Sequence, residues 1–448
     1  MTKTYILDTN ILLQSPTSVF GFDDNKVVVT GTTLQELDHN KRTSGEAGYN
    51  ARETIRLIES LRKKGNLLTG IRLPNGGTFR IEPDTAIDML PQGYSLNLPD
   101  NRIINTTLYL ADANKEPVIL VTNDISMRVN ASVCGVRVEG YLNESVGDGF
   151  DYTGRSEVQI HDILIDEFYS KKKIVCPDII VNPVENQYFL LQGAGSSKKS
   201  ALAVYKNGKL YLIEDKMLRG FGGISGKNVP QKFLMHALLA PAEELPLVIA
   251  MGPAGTGKTM LSIACGLAET YSCKDERRYQ NVMITRTNTL SDRNMGFLPG
   301  TMEEKMEPLI APFKDNMEQI FGGKEKDKEL ATQQIELVLG KGIVEIFPVA
   351  YMRGRSLAEK YLIVDEAQNM SVGQALEIIS RAGNGTKIVL CGDPDQIDDP
   401  HLDKNNNGLV FAAERMKGSS LCAQIRFDQK EAVRSPLAME AAKRLTEK

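Results

Sequence analysis

The sequence predicts an α/β protein with two parallel-sheet domains and a small β-rich connector between them. Three observations predict it. Short, nearly unbroken apolar runs alternate with helical patterns in both halves of the 448-residue chain, which is how strands covered on both faces by crossover helices read. Glycine-rich interruptions replace that alternation in the middle. Several apolar runs stop on a carboxylate or a glycine turn, and the carboxyl ends of parallel strands are where ligand sites form.

The first domain is expected over residues 1–142, through "TYIL", "KVVVTG", "NARETIRLIESLRKK", "NRIINTTLYLADAN", "PVILVTND" and "GVRVEGY". Residues 143–230 form the connector, where "VGDGFDYTG", "QGAGSSKKS" and "GFGGISGKN" interrupt strand-like runs such as "YFLLQG" and "ALAVYKNGKLYLI". A hairpin should turn at Asn207-Gly208. Its "KKK" at 171–173 reads as a solvated face. The second α/β domain spans 231–448, through "PLVIAM", "NVMITR", "GIVEIFPV", "KYLIVDE", "KIVLCGD" and "CAQIRF", with "GGKEKDKEL" at 322–330 as a charged surface loop.

Apolar content of 42%, charged content of 25% and no long apolar run predict a soluble cytoplasmic protein without a membrane span. The six cysteines show no C-x-x-C spacing that would clip a zinc ion or a redox pair, so reduced thiols are expected. A net charge of −4 argues against general coating of nucleic acid, while leaving room for a local basic groove.

The strongest local signal is "LPLVIAMGPAGTGKTMLSIACGLAET", an apolar strand, a glycine-rich turn and a helix. Gly252, Pro253, Ala254, Gly255, Thr256, Gly257, Lys258 and Thr259 fit G-x-x-x-x-G-K-[ST], a phosphate-binding loop in the context that confirms one. Backbone N–H groups surround the β-phosphate of ATP, Lys258 reaches the β- and γ-phosphates, and the Thr259 hydroxyl ligates Mg²⁺. "YLIVDEAQN" supplies Asp365 to hold the metal through water and Glu366 to orient or deprotonate the attacking water. "IVLCGDPDQID" adds Asp393 and Gln396 as reporters on the γ-phosphate and that water, although a type I turn from Pro394 would account for the same residues. Three successive strand-end signals point to hydrolysis. An arginine commonly neutralises the transferring phosphoryl group; Arg434 ranks first for this, Arg353 second, and Arg286 ends the "NVMIT" strand. Gln231 is placed to read the adenine edge.

Four acids mark the first domain in the same way. Asp8 ends "YIL", Glu36 follows "VVVTGTTLQ", Asp100 precedes "NRIINTTLYLADA", and Asp124 ends "PVILVTN". Singly, each suits a helix N-cap. Gathered at one sheet edge they would repel one another unless cations lay between them, and oxygen-only ligands favour Mg²⁺ or Mn²⁺. Such ions activate water and stabilise a leaving oxygen at a phosphodiester. Lys41, Arg42, Arg52 and Arg56 are candidate phosphate contacts nearby in sequence.

Two resemblances follow from these stretches. Through "GPAGTGKT", "GFLPGTMEEKMEP", "IVDEAQN", "GDPDQID" and "IRFDQKEAVRSPL", the last 220 or so residues resemble a PhoH-family ATPase, a single RecA-like P-loop lobe related to superfamily 1 helicases. The resemblance implies an association with RNA. The chain ends about 50 residues after "GDPDQ", without room for a second RecA-like lobe. A homo-oligomer, a ring of six subunits, is therefore expected to cover the nucleotide and bring Arg434 to the γ-phosphate. Residues 1–142, through "LDTN", "LQELD", "LPDNRII" and "LVTND", resemble a PIN domain. That resemblance implies that Asp8, Glu36, Asp100 and Asp124 are metal ligands, that Asn10, Thr122 and Asn123 support them, and that single-stranded RNA is cut. Together the two imply an ATP-dependent RNA helicase or translocase coupled to a metal-dependent endoribonuclease. The rivals are an ATPase that remodels RNA or protein complexes with a non-cleaving PIN module, and a nucleotide-dependent switch or small-molecule kinase. Whether a separately encoded partner restrains the nuclease is open at this stage.

Overall fold

The computed structural model describes residues 2–43, 46–141, 151–195, 199–271, 277–287, 302–322, 328–352, 357–399, 402–404, 406–433 and 440. The chain divides into two compact units, Met1–Ser145 and Val146–Lys448.

The first unit contains strands β1 (Thr4–Leu7), β2 (Lys26–Thr30), β3 (Ile71–Arg72), β4 (Thr78–Glu82), β5 (Val118–Val121) and β6 (Val138–Glu139). Its helices are α1 (Thr9–Gln14), α2 (Gly31–Asn40), α3 (Glu46–Arg62), α4 (Pro99–Ala113) and α5 (Ile125–Val133). The strands form one sheet in the order β3-β4-β2-β1-β5-β6. All neighbours are parallel except β3 and β4. Alternation along the strands builds two cores. Leu7, Val29 and Val121 pack on one face with Ile11, Ala51 and Ile58, while Ile6, Val28 and Leu120 pack on the other with Ile103, Ile104 and Met127. Because the chain moves outward from β1 through β2 and β4, then crosses back to β5, the strand order reverses between β1 and β5. Such a reversal opens a crevice at the carboxyl ends.

The second unit holds two sheets. Strands β7 (Arg155–Ile160), β8 (Lys173–Val175), β9 (Tyr188–Gly193), β10 (Ser200–Lys206) and β11 (Lys209–Leu212) pair in the order β7-β9-β10-β11-β8. Asn207 and Gly208 both take positive φ, 48° and 79°, and turn β10 into β11 as a two-residue hairpin. This segment also contains a helix, α6 (Asp162–Lys171), which its β-rich reading did not expect. Of the 171–173 lysines, Lys171 pairs with Glu167 and Lys172 with Glu214 at the surface.

Next come α7 (Val229–Leu239), β12 (Leu247–Met251), α8 (Lys258–Thr270), β13 (Asn281–Arg286), α9 (Met302–Phe321), α10 (Lys328–Gly340), β14 (Val344–Ile346), β15 (Lys360–Asp365), α11 (Val372–Ile379), β16 (Lys387–Gly392), α12 (Gly408–Met416) and β17 (Cys422–Arg426). The charged stretch at 322–330 falls largely outside the described residues, and its end opens α10. The strands form an all-parallel sheet, β14-β13-β15-β16-β12-β17. β12 and β16 are buried at every position, as strands covered on both faces should be.

The five-stranded sheet shares a core with this one. Tyr188 of β9 and Val204 of β10 pack with Phe233 and Leu234 of α7, and the Tyr188 and Phe233 rings lie 5.1 Å apart. Asn186 donates to the carbonyls of Ser419, Ser420 and Cys422 at 3.3, 2.9 and 3.2 Å, tying the first sheet to the start of β17.

His236 of α7 lies at this seam, its Nδ1 3.1 Å from the Tyr188 hydroxyl. Burial lowers its pKa from 6.5 to about 4, with Lys206 and Lys387 adding to the shift. The unfolded chain therefore binds a proton that the folded unit refuses. Stability is whole above pH 6.5 and falls as the pH drops toward 4, by up to about 3 kcal/mol from this group. Thermal unfolding between pH 7 and 4 should show that loss, and His236→Phe should flatten the profile.

Candidate functional site

β12 feeds a turn built on positive-φ glycines. Gly252, Gly255 and Gly257 have φ of 131°, 82° and 86°. A Cβ on Gly252 would stand 2.5 Å from the Phe427 carbonyl oxygen, so only glycine fits there. The loop ends at the N-terminus of α8, where unpaired N–H groups and the helix dipole favour an anion. The buried Lys258 ammonium donates to the carbonyls of Gly252 and Pro253 and to the Thr256 hydroxyl. Burial lowers its pKa, against the pull of Cys391, Asp393, Asp365 and Glu366.

Asp365 ends β15, and its Oδ1 accepts from the Thr259 hydroxyl at 2.7 Å. It is 8% exposed. Burial raises its pKa, Glu366 adds to that, and the Thr259 hydrogen bond opposes it. A hydroxyl and a buried carboxylate in contact form an oxygen donor set that fits Mg²⁺.

Glu366 sits in left-handed backbone, φ 53° and ψ 37°, a costly conformation for a non-glycine residue. Arg286 Nη2 donates to its Oε1 at 3.0 Å and Gln368 Nε2 to its Oε2 at 2.6 Å. The same Gln368 amide donates to the Gln396 carbonyl at 2.8 Å and accepts from the Asp393 N–H at 3.0 Å. Buried Gln368 thus fastens the Glu366 carboxylate to the loop after β16. Sequence reasoning missed it, although the Gln of "DEAQN" was its signal. Asp393 also serves its own turn, since its Oδ1 accepts from the Asp395 N–H at 3.1 Å.

Asp365, Glu366 and Asp393 line a cleft of about 400 Å³ with Gln231, Lys258, Thr259 and Gln396. Its other wall carries Ser225, Lys227, Asn316 and Gln319, which no motif marks. Gln231 borders the cleft, but its amide is engaged locally. Nε2 donates to the Thr256 carbonyl at 2.9 Å and Oε1 accepts from the Lys227 N–H at 2.7 Å. Arg353 and Arg434 lie outside the described residues.

If Gln368 holds Glu366 for its work on water, Gln368→Ala should lower kcat for ATP on the order of tenfold to a hundredfold with little change in KM. Steady-state hydrolysis checks this; a changed KM with unchanged kcat would contradict it.

In the first unit, Asp8 follows β1 and is 5% exposed. Its Oδ1 accepts from the Thr9 N–H and its Oδ2 from the Thr122 hydroxyl, both at 2.6 Å. Burial raises its pKa to about 7; those two hydrogen bonds oppose the shift, and Asp100 and Glu36 reinforce it. The Thr9 hydroxyl donates to Glu36 on α2, linking the two acids. Burial raises Glu36 as well, with Asp100 adding to it, and Asp100 is raised by burial and then by Asp124. Asp124 caps α5 by accepting from the Met127 N–H at 3.0 Å. Asn10 donates to the Thr122 hydroxyl at 2.9 Å, and Asn123 donates to Gln14 at 2.8 Å.

The four acids are therefore charge neighbours at the β1–β5 edge. Among the described residues no three His, Cys, Asp or Glu side chains stand close enough to cage one ion. The fit to a divalent cation is one of charge and oxygen chemistry rather than of a preformed cage. Of the basic residues, Lys41 is paired with Asp38 and Arg56 with Glu53, both at the surface. Arg52 donates to the Lys41 carbonyl at 2.8 Å.

No helix among the described residues is long and apolar enough to cross a membrane. The family model for PhoH-like proteins matches residues 223–446, and that for the PIN domain matches residues 5–142. Protein PhoH2 of Bacillus subtilis is 37% identical over 99% of this chain and 99% of its own length. Protein PhoH2 of Thermobispora bispora is 31% identical over 98% and 95%, and that of Mycolicibacterium smegmatis 29% identical over 99% and 97%. A PhoH-like protein of Bacillus subtilis matches only 47% of this chain, at 35% identity. A phosphate-loop cleft, a separate edge of carboxylates and full-length relatives agree: the chain belongs to the PhoH-like protein family, with a PIN domain preceding its ATPase domain.

Proposed function

We propose that this protein is an ATP-driven RNA-processing enzyme in which the second unit moves or unwinds RNA and the PIN domain cuts single-stranded RNA. The observation that carries the reading is the pairing, in one chain, of a Lys258–Asp365–Glu366 cleft with a separate edge where Asp8, Glu36, Asp100 and Asp124 crowd like charges.

In the cleft, the loop N–H groups and Lys258 bind the phosphates of ATP. Glu366, fixed by Arg286 and Gln368, takes the proton of the attacking water. Thr259 and Asp365 would hold Mg²⁺, which when bound neutralises phosphate charge. At the other edge Asp8, Glu36, Asp100 and Asp124 would hold Mg²⁺ or Mn²⁺, while Thr122 and the Thr9 N–H fix the Asp8 carboxylate and Asn10 fixes Thr122. A homo-oligomeric ring, of six subunits, would complete the nucleotide site. A second reading, an ATPase that remodels RNA or protein complexes with a PIN module that binds without cutting, is favoured by the absence of a preformed cage among the described acids.

Labelled single-stranded RNA incubated with the purified protein, with and without ATP and with Mg²⁺ or Mn²⁺, tests the proposal. Metal-dependent fragments, together with RNA-stimulated ATP turnover, are the expected result. Intact RNA under every condition, with ATP turnover retained, would establish the remodelling reading instead.

A further inference from the structure

Among the described residues β17 ends the sheet order, beside β12, and the chain leaving it returns along the phosphate loop. The Phe427 N–H donates to the Met251 carbonyl at 2.8 Å, and its own carbonyl presses on Gly252. After a single turn at Gln429–Glu431, capped by Asp428, the Val433 N–H donates to the Gly255 carbonyl at 2.9 Å. Residues 427–433 thus form a strap that touches the loop at two of its glycines.

Past Phe427 the strap buries no apolar side chain, so polar contacts hold it. The chief one comes from the five-stranded sheet. Arg155 of β7, with 14% of its side chain exposed, pairs with Asp428 at 3.2 Å and Glu431 at 2.7 Å. Its Nε donates to the Arg426 carbonyl at 3.0 Å. The backbone approach that aims it is close: the Arg426 N–H donates to the Thr153 carbonyl at 2.9 Å, and a Cβ on Gly154 would lie 1.6 Å from the Gln424 oxygen. Asn228, capping α7, adds a bond to the Glu431 carbonyl at 3.1 Å.

We propose that Arg155 is a positioning residue for nucleotide turnover, through which the connector sheet holds the 427–433 strap and so sets the shape of the phosphate loop. The inference rests on the ATPase reading of that loop. A fork-shaped guanidinium suits the role, because it serves two carboxylates and a carbonyl at once, whereas an ammonium serves fewer in that geometry.

The test is made on the full chain with Arg155→Ala, Arg155→Lys, Glu431→Gln and the Ala/Gln double variant. It measures ATP kcat and KM, displacement of a fluorescent ADP analogue, and the melting temperature. Arg155→Ala is expected to raise the ATP KM and weaken ADP binding about fivefold or more and to lower kcat, with Lys restoring part of each. The double variant should lose little beyond Arg155→Ala, because the Glu431 contact is among those that Arg155 makes. Full additivity, or wild-type KM, kcat and ADP binding in Arg155→Ala, would overturn the proposal. So would a loss that follows melting temperature alone across the set. Should Arg155→Ala not fold, Glu431→Gln carries the same expectation and the same refutation. Failure of the ATPase reading shows differently, as a wild-type protein that binds ADP without hydrolysing ATP, and the ADP measurement then decides the strap on its own.

Discussion

Asp8→Asn is expected to lower metal-dependent cleavage of single-stranded RNA by at least about a hundredfold while leaving ATP turnover unchanged. Asn keeps the shape, and its one amide oxygen can still accept from the Thr9 N–H while its Nδ2 faces the Thr122 hydroxyl as a donor, so the loss would come from charge together with that one hydrogen bond. The same substitution should raise, not lower, the melting temperature of metal-free protein at neutral pH. Asp8 is 5% exposed, its hydrogen-bond partners Thr9 and Thr122 are uncharged, and Asp100 and Glu36 repel it. A group that destabilises its own fold is characteristic of a functional site. Gel assays and a melting curve on one preparation check both halves. Unchanged cleavage would show that the nuclease activity belongs elsewhere.

Lys258→Ala is expected to reduce ATP hydrolysis on the order of a thousandfold and to abolish any ATP-driven unwinding. Cleavage of short unstructured RNA should survive. Lys258 lies in the second compact unit, beside Asp365, Glu366 and Asp393, and Asp8 lies in the first, beside Glu36 and Asp100. Removing the ammonium also relieves a buried, pKa-lowered cation, so the variant should remain folded. Loss of all metal-dependent cleavage in this variant would show that the two chemistries cannot be separated.

Both candidate sites were legible in the sequence because each is written at strand ends. A run of buried apolar residues followed by Asp8, Asp124 or Gly252 encodes the strand, its end and the side chain placed there within six or seven letters. The parallel sheets followed from the same runs, and the Asn207-Gly208 turn from its backbone requirement. What stayed hidden depends on contacts distant in sequence. Nothing near Asn186 or Arg155 announces that they bond to residues after position 418, so the segment read only as a β-rich connector, although it packs in the same unit as the ATPase sheet. Helix α6 was masked by the glycine-rich segments around it. Asn316 and Gln319 look like ordinary polar positions on α9, and only its packing turns them to the cleft. Gln231 was placed at the nucleotide site, where it braces the loop through Thr256. Arg353 and Arg434 fall outside the described residues, so their assignment to the transferring phosphoryl group stays with the proposal.

The most direct measurement is a Mn²⁺ titration of the nucleotide-free full-length protein followed by electron paramagnetic resonance, comparing wild type with Asp8→Asn. Crowded acids at the β1–β5 edge predict Mn²⁺ binding by wild type that weakens about tenfold or more in the variant. Binding unaltered by Asp8→Asn, or none in the wild type, would contradict that account of the edge.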